Sequence, residues 1–245
     1  MGHCIIHPIP LWVGCSDKSK MTNWFNQGIP YFVTGYIWYI EGTSERIIVD
    51  AGGDVDYLRK IRGHDIGVIQ DLETGLKRYD LNPQDIDLVI STHLHNDHIG
   101  GVSRFSKAKV LVQKDELEFA RNPHPMYDTV FCKEFLEESK FEIVHGDTQI
   151  TDDVSILKTP GHTPGGQSVC IKTEKGTAII AGLCTIKENY EPPPARGTNM
   201  RVIPPMISTN LFEAYDSELR ILDLADTIIP LHDSSYWQNK INSIT

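Results

Sequence analysis

The sequence predicts an α/β fold arranged as an αββα sandwich, two sheets face to face with helices outside. Two observations carry this. Short apolar runs bounded by turn signals alternate with segments of helical spacing, and the alternation occurs in each half of the 245 residues. No 20–50-residue repeat, low-complexity tract or long polar linker interrupts it, so the chain reads as one domain over residues 1–245.

The elements follow in order. Tyr36–Glu41 and Arg46–Asp50 read as strands joined by the turn Gly42-Thr43-Ser44-Glu45. Asp54–Ile61 starts as a helix with acidic residues in its first turn. Val68, Leu72 and Leu76, spaced by four, predict a helix over 68–79, ended by Asn82-Pro83. Ile86–Ser91 is a short apolar run of buried-strand type. The second half repeats the theme. Lys109–Gln113, Phe141–Val144, Val154–Lys158, Gln167–Lys172, Thr177–Ala181 and Thr227–Pro230 read as strands; Asp115–Arg121, Lys133–Ser139 and Ser217–Leu224 read as helices. The first 32 residues show few periodic signals, and His7 and His124, each before a proline, suggest loops.

Composition narrows the class. Hydrophobic residues make up 40% and charged residues 23%, the balance of a soluble globular chain. No stretch approaches the ~20 apolar residues of a membrane span. Lys+Arg 23 against Asp+Glu 33 gives a net charge of −10, which argues against a nucleic-acid partner. Met1 to Pro10 lacks a basic segment followed by an apolar one, and the cysteines at 4, 15, 132, 170 and 184 are odd in number and scattered. Both point to a reducing, cytoplasmic setting. A small-molecule substrate is the expected partner, with a homo-oligomer left open.

The chemistry concentrates in Ser91-Thr92-His93-Leu94-His95-Asn96-Asp97-His98-Ile99-Gly100-Gly101, directly after a buried strand. Chance would produce H-x-H-x-D-H in roughly one such sequence per thousand. Imidazole and carboxylate are zinc ligands. His93 and His95, two apart in an extended turn, can face one ion, while Asp97 and His98 can turn toward a second. Gly100-Gly101 lets the chain turn tightly.

This segment resembles the signature of the metallo-β-lactamase superfamily, and three more segments agree in order. Asp50, with Ala51-Gly52-Gly53, is similar to the family's strand-end Asp-x-Gly. His162 in Thr159-Pro160-Gly161-His162-Thr163-Pro164-Gly165 matches its second histidine motif. His232, after the strand Thr227–Pro230, stands where the family has its last histidine ligand. The resemblance implies the αββα fold with metals at the sheet edges. Within the superfamily the chain is similar to the N-acyl-homoserine lactonase-like enzymes. Gly14–Ser19 resembles their active-site loop, Val112-Gln113 and 115–139 their lid, and Lys187-Glu188-Asn189 a Lys-Glu-Asn after their bridging aspartate. That aspartate is missing here: the stretch reads Ala181-Gly182-Leu183-Cys184-Thr185, and Thr185 lies near the position of their tyrosine. Asn96 replaces an aromatic residue.

The resulting metal-ligand set is His93, His95, Asp97, His98, His162, Cys184 and His232, with Asp97 also catalytic. Cys184 enters because Gly182 and Leu183 cannot ligate and because a subgroup of true β-lactamases carries a cysteine at the comparable strand end; a buried space-filling thiol is the alternative. Asp50 is expected to accept the outer N–H of a ligating histidine. His3, His7, His64, His124 and His145 lack paired spacing, and Glu188 reads as a solvated or salt-bridged glutamate, with a metal or substrate contact as the alternative. Trp12, Trp24, Phe25, Tyr31 and Phe32 are candidates for an apolar pocket wall or for a subunit interface. The Pro-rich stretch from Glu191 to Pro205 is too long for a mere connection.

Two Zn²⁺ ions, with Fe or Mn as alternatives, would supply hydroxide near neutral pH and polarise a carbonyl. The expected function is a metal-dependent hydrolase acting on a lactone or other cyclic ester or amide. Thioester or phosphodiester hydrolysis, or a non-enzymatic metal-binding or sensing role with an altered second site, are the alternatives.

Overall fold

The computed structural model describes residues 3–63, 65–137, 139–194 and 199–245. His64 and residues 195–198 of the Pro-rich stretch therefore lie outside the described residues. The first half runs β1 (Ile5–Asp17), β2 (Pro30–Glu41), β3 (Ile47–Val49), α1 (Val55–Arg62), β4 (Ile66–Val68), α2 (Leu72–Lys77), β5 (Leu88–Ile90), α3 (Asn96–Ile99), β6 (Lys109–Gln113), α4 (Lys114–Arg121), α5 (Lys133–Glu137) and β7 (Phe141–Val144). The second runs β8 (Thr148–Gln149), β9 (Val154–Lys158), β10 (Gln167–Thr173), β11 (Gly176–Ala181), α6 (Lys187–Tyr190), α7 (Leu211–Leu224), β12 (Thr227–Pro230) and α8 (Ser235–Gln238). Among these, no helix is long and apolar enough to cross a membrane.

Two sheets result, one ordered β4-β1-β2-β3-β5-β6-β7 and the other β12-β11-β10-β9-β8. The apolar runs divide their side chains between two cores. Ile47, Val49, Leu88 and Ile90 point between the sheets, where they meet Val169, Ile171 and Ile180. Ile48 and Val89 point the other way, onto Leu58 of α1, Leu76 of α2 and Leu117 of α4. In the second sheet Ile179 and Ala181 face Ala214 and Ile221 of α7. A strand buried on both faces has no polar positions to spare, so these strands are continuous apolar runs rather than alternating ones. The αββα sandwich follows.

Four departures from expectation have local causes. Residues 5–17 form a long strand, not a loop, despite Pro8 and Pro10. β4 pairs β1 only at Trp12–Gly14, and the register with β2 shifts between Pro10 and Trp12, so both prolines fall where one strand side needs no donor. His7 accordingly sits buried in β1, against Glu41 and the carbonyl of Asn242. The segment 68–79 splits: Val68 pairs with Trp12, and α2 begins only after Asp71, whose carboxylate accepts from Thr74 N. Finally, α7 begins at Leu211, where the Asn210 side chain accepts from the amides of Phe212 and Glu213.

What positions the site is strand direction. β3 and β5 are parallel neighbours, β12 is parallel to β11, and β9 and β11 are each antiparallel to β10. The carboxyl ends of β3, β5, β9 and β12 thus deliver Asp50, His93, His162 and His232, respectively.

Candidate metal centre

The segment after β5 divides its ligands by a change of backbone. His95 has extended backbone, as expected, and is the N-cap of α3, a single helical turn that carries Asp97 and His98. That turn places Asp97 and His98 in a donor set separate from His93 and His95, with the His93 and His98 ring centroids 4.1 Å apart. Gly100 and Gly101 have ordinary backbone angles, φ −58° and −95°. They are needed for close approach instead: a Cβ would stand 2.1 Å from Asp54 N at Gly100 and 2.4 Å from Ala51 O at Gly101. The His162 loop is closed by Thr159 N donating to Gly166 O, with Gly161 at φ +120° against the backbone of Ala214.

Two sets of donors emerge, His93 with His95 and His162, and Asp97 with His98 and His232; all six residues are buried, and within each set the donor atoms lie within 4.8 Å of one another. The residues around them fix which nitrogens face inward. His98 Nδ1 donates to Asp50 Oδ2 at 2.8 Å, and His232 Nδ1 to the Thr34 carbonyl at 3.2 Å. His162 Nδ1 donates to the Ile207 carbonyl. Thr92 Oγ1 gives its own hydrogen to Asp50 at 3.0 Å, so at 3.1 Å it accepts from His93 Nδ1. Each Nδ1–H is committed outward, leaving four Nε2 lone pairs directed inward. His93 Nε2 and His162 Nε2 are 3.2 Å apart, as are His98 Nε2 and His232 Nε2. Lone pairs so placed repel unless a cation or a shared proton lies between them, and two Zn–N bonds of about 2.0–2.1 Å can span that gap. His95 Nε2 and Asp97 Oδ1 are buried without a hydrogen-bond partner among the described residues. The donor set therefore fits a pair of divalent ions.

The protonation states of four of the five histidines agree. Burial, reinforced by neighbouring imidazoles, holds His93 and His95 well below the ordinary histidine range. Burial lowers His162 to about 4 and His232 to about 3. For His98 the carboxylates of Asp50 and Asp97 outweigh burial and raise it. Burial would raise Asp97, but Arg62 and the surrounding rings dominate and keep it ionised, well below the usual carboxylate range. The Asp97 Oδ2 atom lies 3.1 Å from Arg62 and 3.8 and 3.9 Å from the Nε2 atoms of His98 and His232.

Cys184 does not join either set. It lies in the wall of the same cavity, its Sγ 3.4 Å from Met21 Sδ, and burial followed by the charge of Asp97 pushes the thiol up to about 12. Nor can position 182 supply a carboxylate. A Cβ on Gly182 would stand 1.8 Å from the Gln167 carbonyl oxygen, and its amide donates to Ser168 Oγ at 2.8 Å. Thr185 is buried with its hydroxyl on the Leu183 carbonyl.

The cavity over the two donor sets has a volume of about 420 Å³ and an apolar wall that includes Trp12, Met21, Val33, Ile61, Val130 and Ile207. Of the five N-terminal aromatic residues proposed for it, only Trp12 lines it. Trp24 is 62% exposed and Phe32 53%, and Phe25 and Tyr31 also lie outside the lining. Gly14, Cys15 and Ser16 do reach it, as the active-site-loop resemblance implies. Glu188 is tied to Lys18 and Asn26. Just beyond the Pro-rich stretch, the Ile207 carbonyl orients His162.

Sequence reading missed two residues. Fully buried Glu116 of α4 accepts from Leu94 N at 2.9 Å and Gly165 N at 3.1 Å, tying the two histidine loops together. Burial pushes its carboxyl up. Arg62 ends α1, and nothing in its local pattern of basic surface residues marks it as a partner of Asp97.

Comparison with known proteins agrees with this geometry. The chain matches the metallo-beta-lactamase superfamily over residues 30–231. An N-acyl homoserine lactonase of Bacillus cereus is 38% identical over 121 residues, 48% of this chain and 46% of that protein. The N-acyl homoserine lactonase AttM of Rhizobium radiobacter is 25% identical over 171 residues, 62% of this chain and 65% of its own. The chain thus spans about half the length of the Bacillus relatives it matches. Among solved structures, a quorum-quenching N-acyl homoserine lactone lactonase superposes with a TM-score of 0.77 at 26% identity, covering 98% of this chain and 96% of that one. An N-acyl homoserine lactone hydrolase, with its product N-hexanoyl-L-homoserine at the catalytic metal center, superposes with a TM-score of 0.76 at 25% identity, covering 97% and 96%.

Proposed function

This chain belongs to the metallo-β-lactamase superfamily, and on that premise we propose that it is a metal-dependent hydrolase that opens a lactone. His93, His95 and His162 would hold one ion and Asp97, His98 and His232 the other. The observation that carries the reading is the inward set of imidazole lone pairs, fixed by outward acceptors at Asp50, Thr92, Thr34 and Ile207. Bound there, Zn²⁺ would act as a Lewis acid toward the substrate carbonyl and lower the pKa of coordinated water toward about 7. Nitrogen and oxygen donors make zinc the expected metal, and the same set accepts Fe or Mn.

The chain's own groups do the rest. The ionised Asp97 carboxylate orients the attacking water, accepts its proton and returns it to the leaving oxygen. No serine, cysteine or lysine is needed as nucleophile. The apolar wall admits a small acyl or alkyl group and excludes water around the carbonyl, in a cavity of the size small ligands use. The similarity to lactonases supports the lactone as substrate class.

The test measures ions per chain by elemental analysis and screens hydrolysis of lactones, thioesters, β-lactams and phosphodiesters. Two ions and preferential lactone opening are expected. Two ions with turnover of thioesters or phosphodiesters alone would replace the substrate class, and no turnover of any of them would leave only a metal-binding protein.

A further inference from the structure

We propose that Arg62 is a positioning residue for Asp97, and that the second metal site depends on it while the first does not; this rests on the dinuclear reading above. Asp97 is the only carboxylate in either donor set, and it needs an orientation that the imidazoles do not give it. His93, His98, His162 and His232 are each fixed by an outer acceptor on Nδ1. Asp97 has no such acceptor to hold, since a carboxylate can only accept. The group that fixes it must be a cation. Arg62 supplies one, its guanidinium paired with Oδ2 at 3.1 Å, while Oδ1 is buried and unpartnered among the described residues.

Arg62 is itself held. Its guanidinium lies over the Trp12 ring, 5.8 Å from the centroid. Trp12 is fully buried, and Gly35 lies flat against it: a Cβ there would stand 2.0 Å from the indole Nε1. The line therefore runs from the β2 backbone at Gly35, through the β1 indole and the last residue of α1, to the carboxylate on α3. A guanidinium suits both ends of this arrangement, since its delocalised cation can lie over a ring face while pairing with a carboxylate. With one side of the carboxylate occupied by Arg62, the carboxylate cannot swing out toward the cavity mouth, and its remaining lone pairs stay directed to the side of His98 and His232. In the first set, His93, His95 and His162, no side chain is in direct contact with Arg62, whose charge reaches His95 only at longer range.

The experiment uses Zn²⁺ alone as probe, titrated against a chromophoric chelator with the whole chain and with Arg62→Met and Arg62→Lys. Wild type should take up two ions. Arg62→Met should keep the affinity for the first and bind the second 10–100-fold more weakly, the usual scale for losing a partner that orients a ligand. Arg62→Lys, with charge but no planar fork, should recover to within about tenfold of wild type. Second-ion binding in Arg62→Met as tight as in wild type, or tighter, overturns the proposal. So does equal loss of both ions, which marks a merely structural role. If wild type itself binds fewer than two ions, the dinuclear reading fails, and this inference fails with it.

Discussion

Replacing Asp50 by Asn should separate metal binding from folding. The Asp50 carboxylate is fully buried and takes three hydrogen bonds, from Thr92 N at 2.7 Å, Thr92 Oγ1 at 3.0 Å and His98 Nδ1 at 2.8 Å. Its backbone lies at φ +60°, a conformation Asn adopts as readily as Asp. In Asp50→Asn one oxygen still accepts from Thr92 N, and the Thr92 hydroxyl can rotate to accept. The new amide then donates toward His98 Nδ1, which drives the ring hydrogen to Nε2 and removes the inward lone pair. Second-ion affinity should fall 10–100-fold, or about 1.4–2.8 kcal/mol. Folding should suffer less, by about 1 kcal/mol, because the lost charge-assisted bonds are offset by not burying a charge. Asp50→Ala orphans all three donors and also places alanine at positive φ, so it should cost about 4 kcal/mol. Zinc titration and urea unfolding of both variants measure the two effects. Wild-type affinity for the second ion in Asp50→Asn would refute the tautomer argument.

Three further outcomes are expected. His162→Ala should abolish hydrolysis and weaken one ion while the urea midpoint barely moves, since His162 lies in a loop at the rim of the sandwich; retained turnover would remove it from the site. Glu116→Ala leaves the Leu94 and Gly165 amides buried without an acceptor and should destabilise by about 2–6 kcal/mol, read by urea unfolding. In chelator-treated protein, His162 and His232 stay neutral at pH values where the unfolded chain, with ordinary values near 6.5, takes up protons. Stability present above about pH 6.5 should therefore be lost as the pH falls toward 4 and then 3, and a flat urea midpoint over that interval would contradict the burial of these rings.

Much of this protein was determined by sequence alone, because the relevant information is local. Strands buried on both faces must be continuous apolar runs, so Leu88–Ile90, Lys109–Gln113 and Gly176–Ala181 were legible as strands. Residues packed as H-x-H-x-D-H have no role in a core, so His93, His95, Asp97 and His98 were legible as a cluster of candidate metal donors. Asp50 was legible as the acceptor of a histidine's outer N–H. The tertiary structure decided what depends on neighbours distant in the chain. β1 is a strand because its prolines fall where β4 is absent, a fact of pairing rather than of propensity. Cys184 stood at the right strand end, yet its sulfur meets Met21 across the cavity wall and neither donor set. Trp24 and Phe32 have the chemistry of a pocket wall but face solvent, while Trp12 lines the cavity. Glu116 and Arg62 are ordinary helix-surface residue types by local pattern; only the packing of α4 between the two histidine loops and of α1 beside α3 makes one a clamp and the other the partner of a metal-site carboxylate.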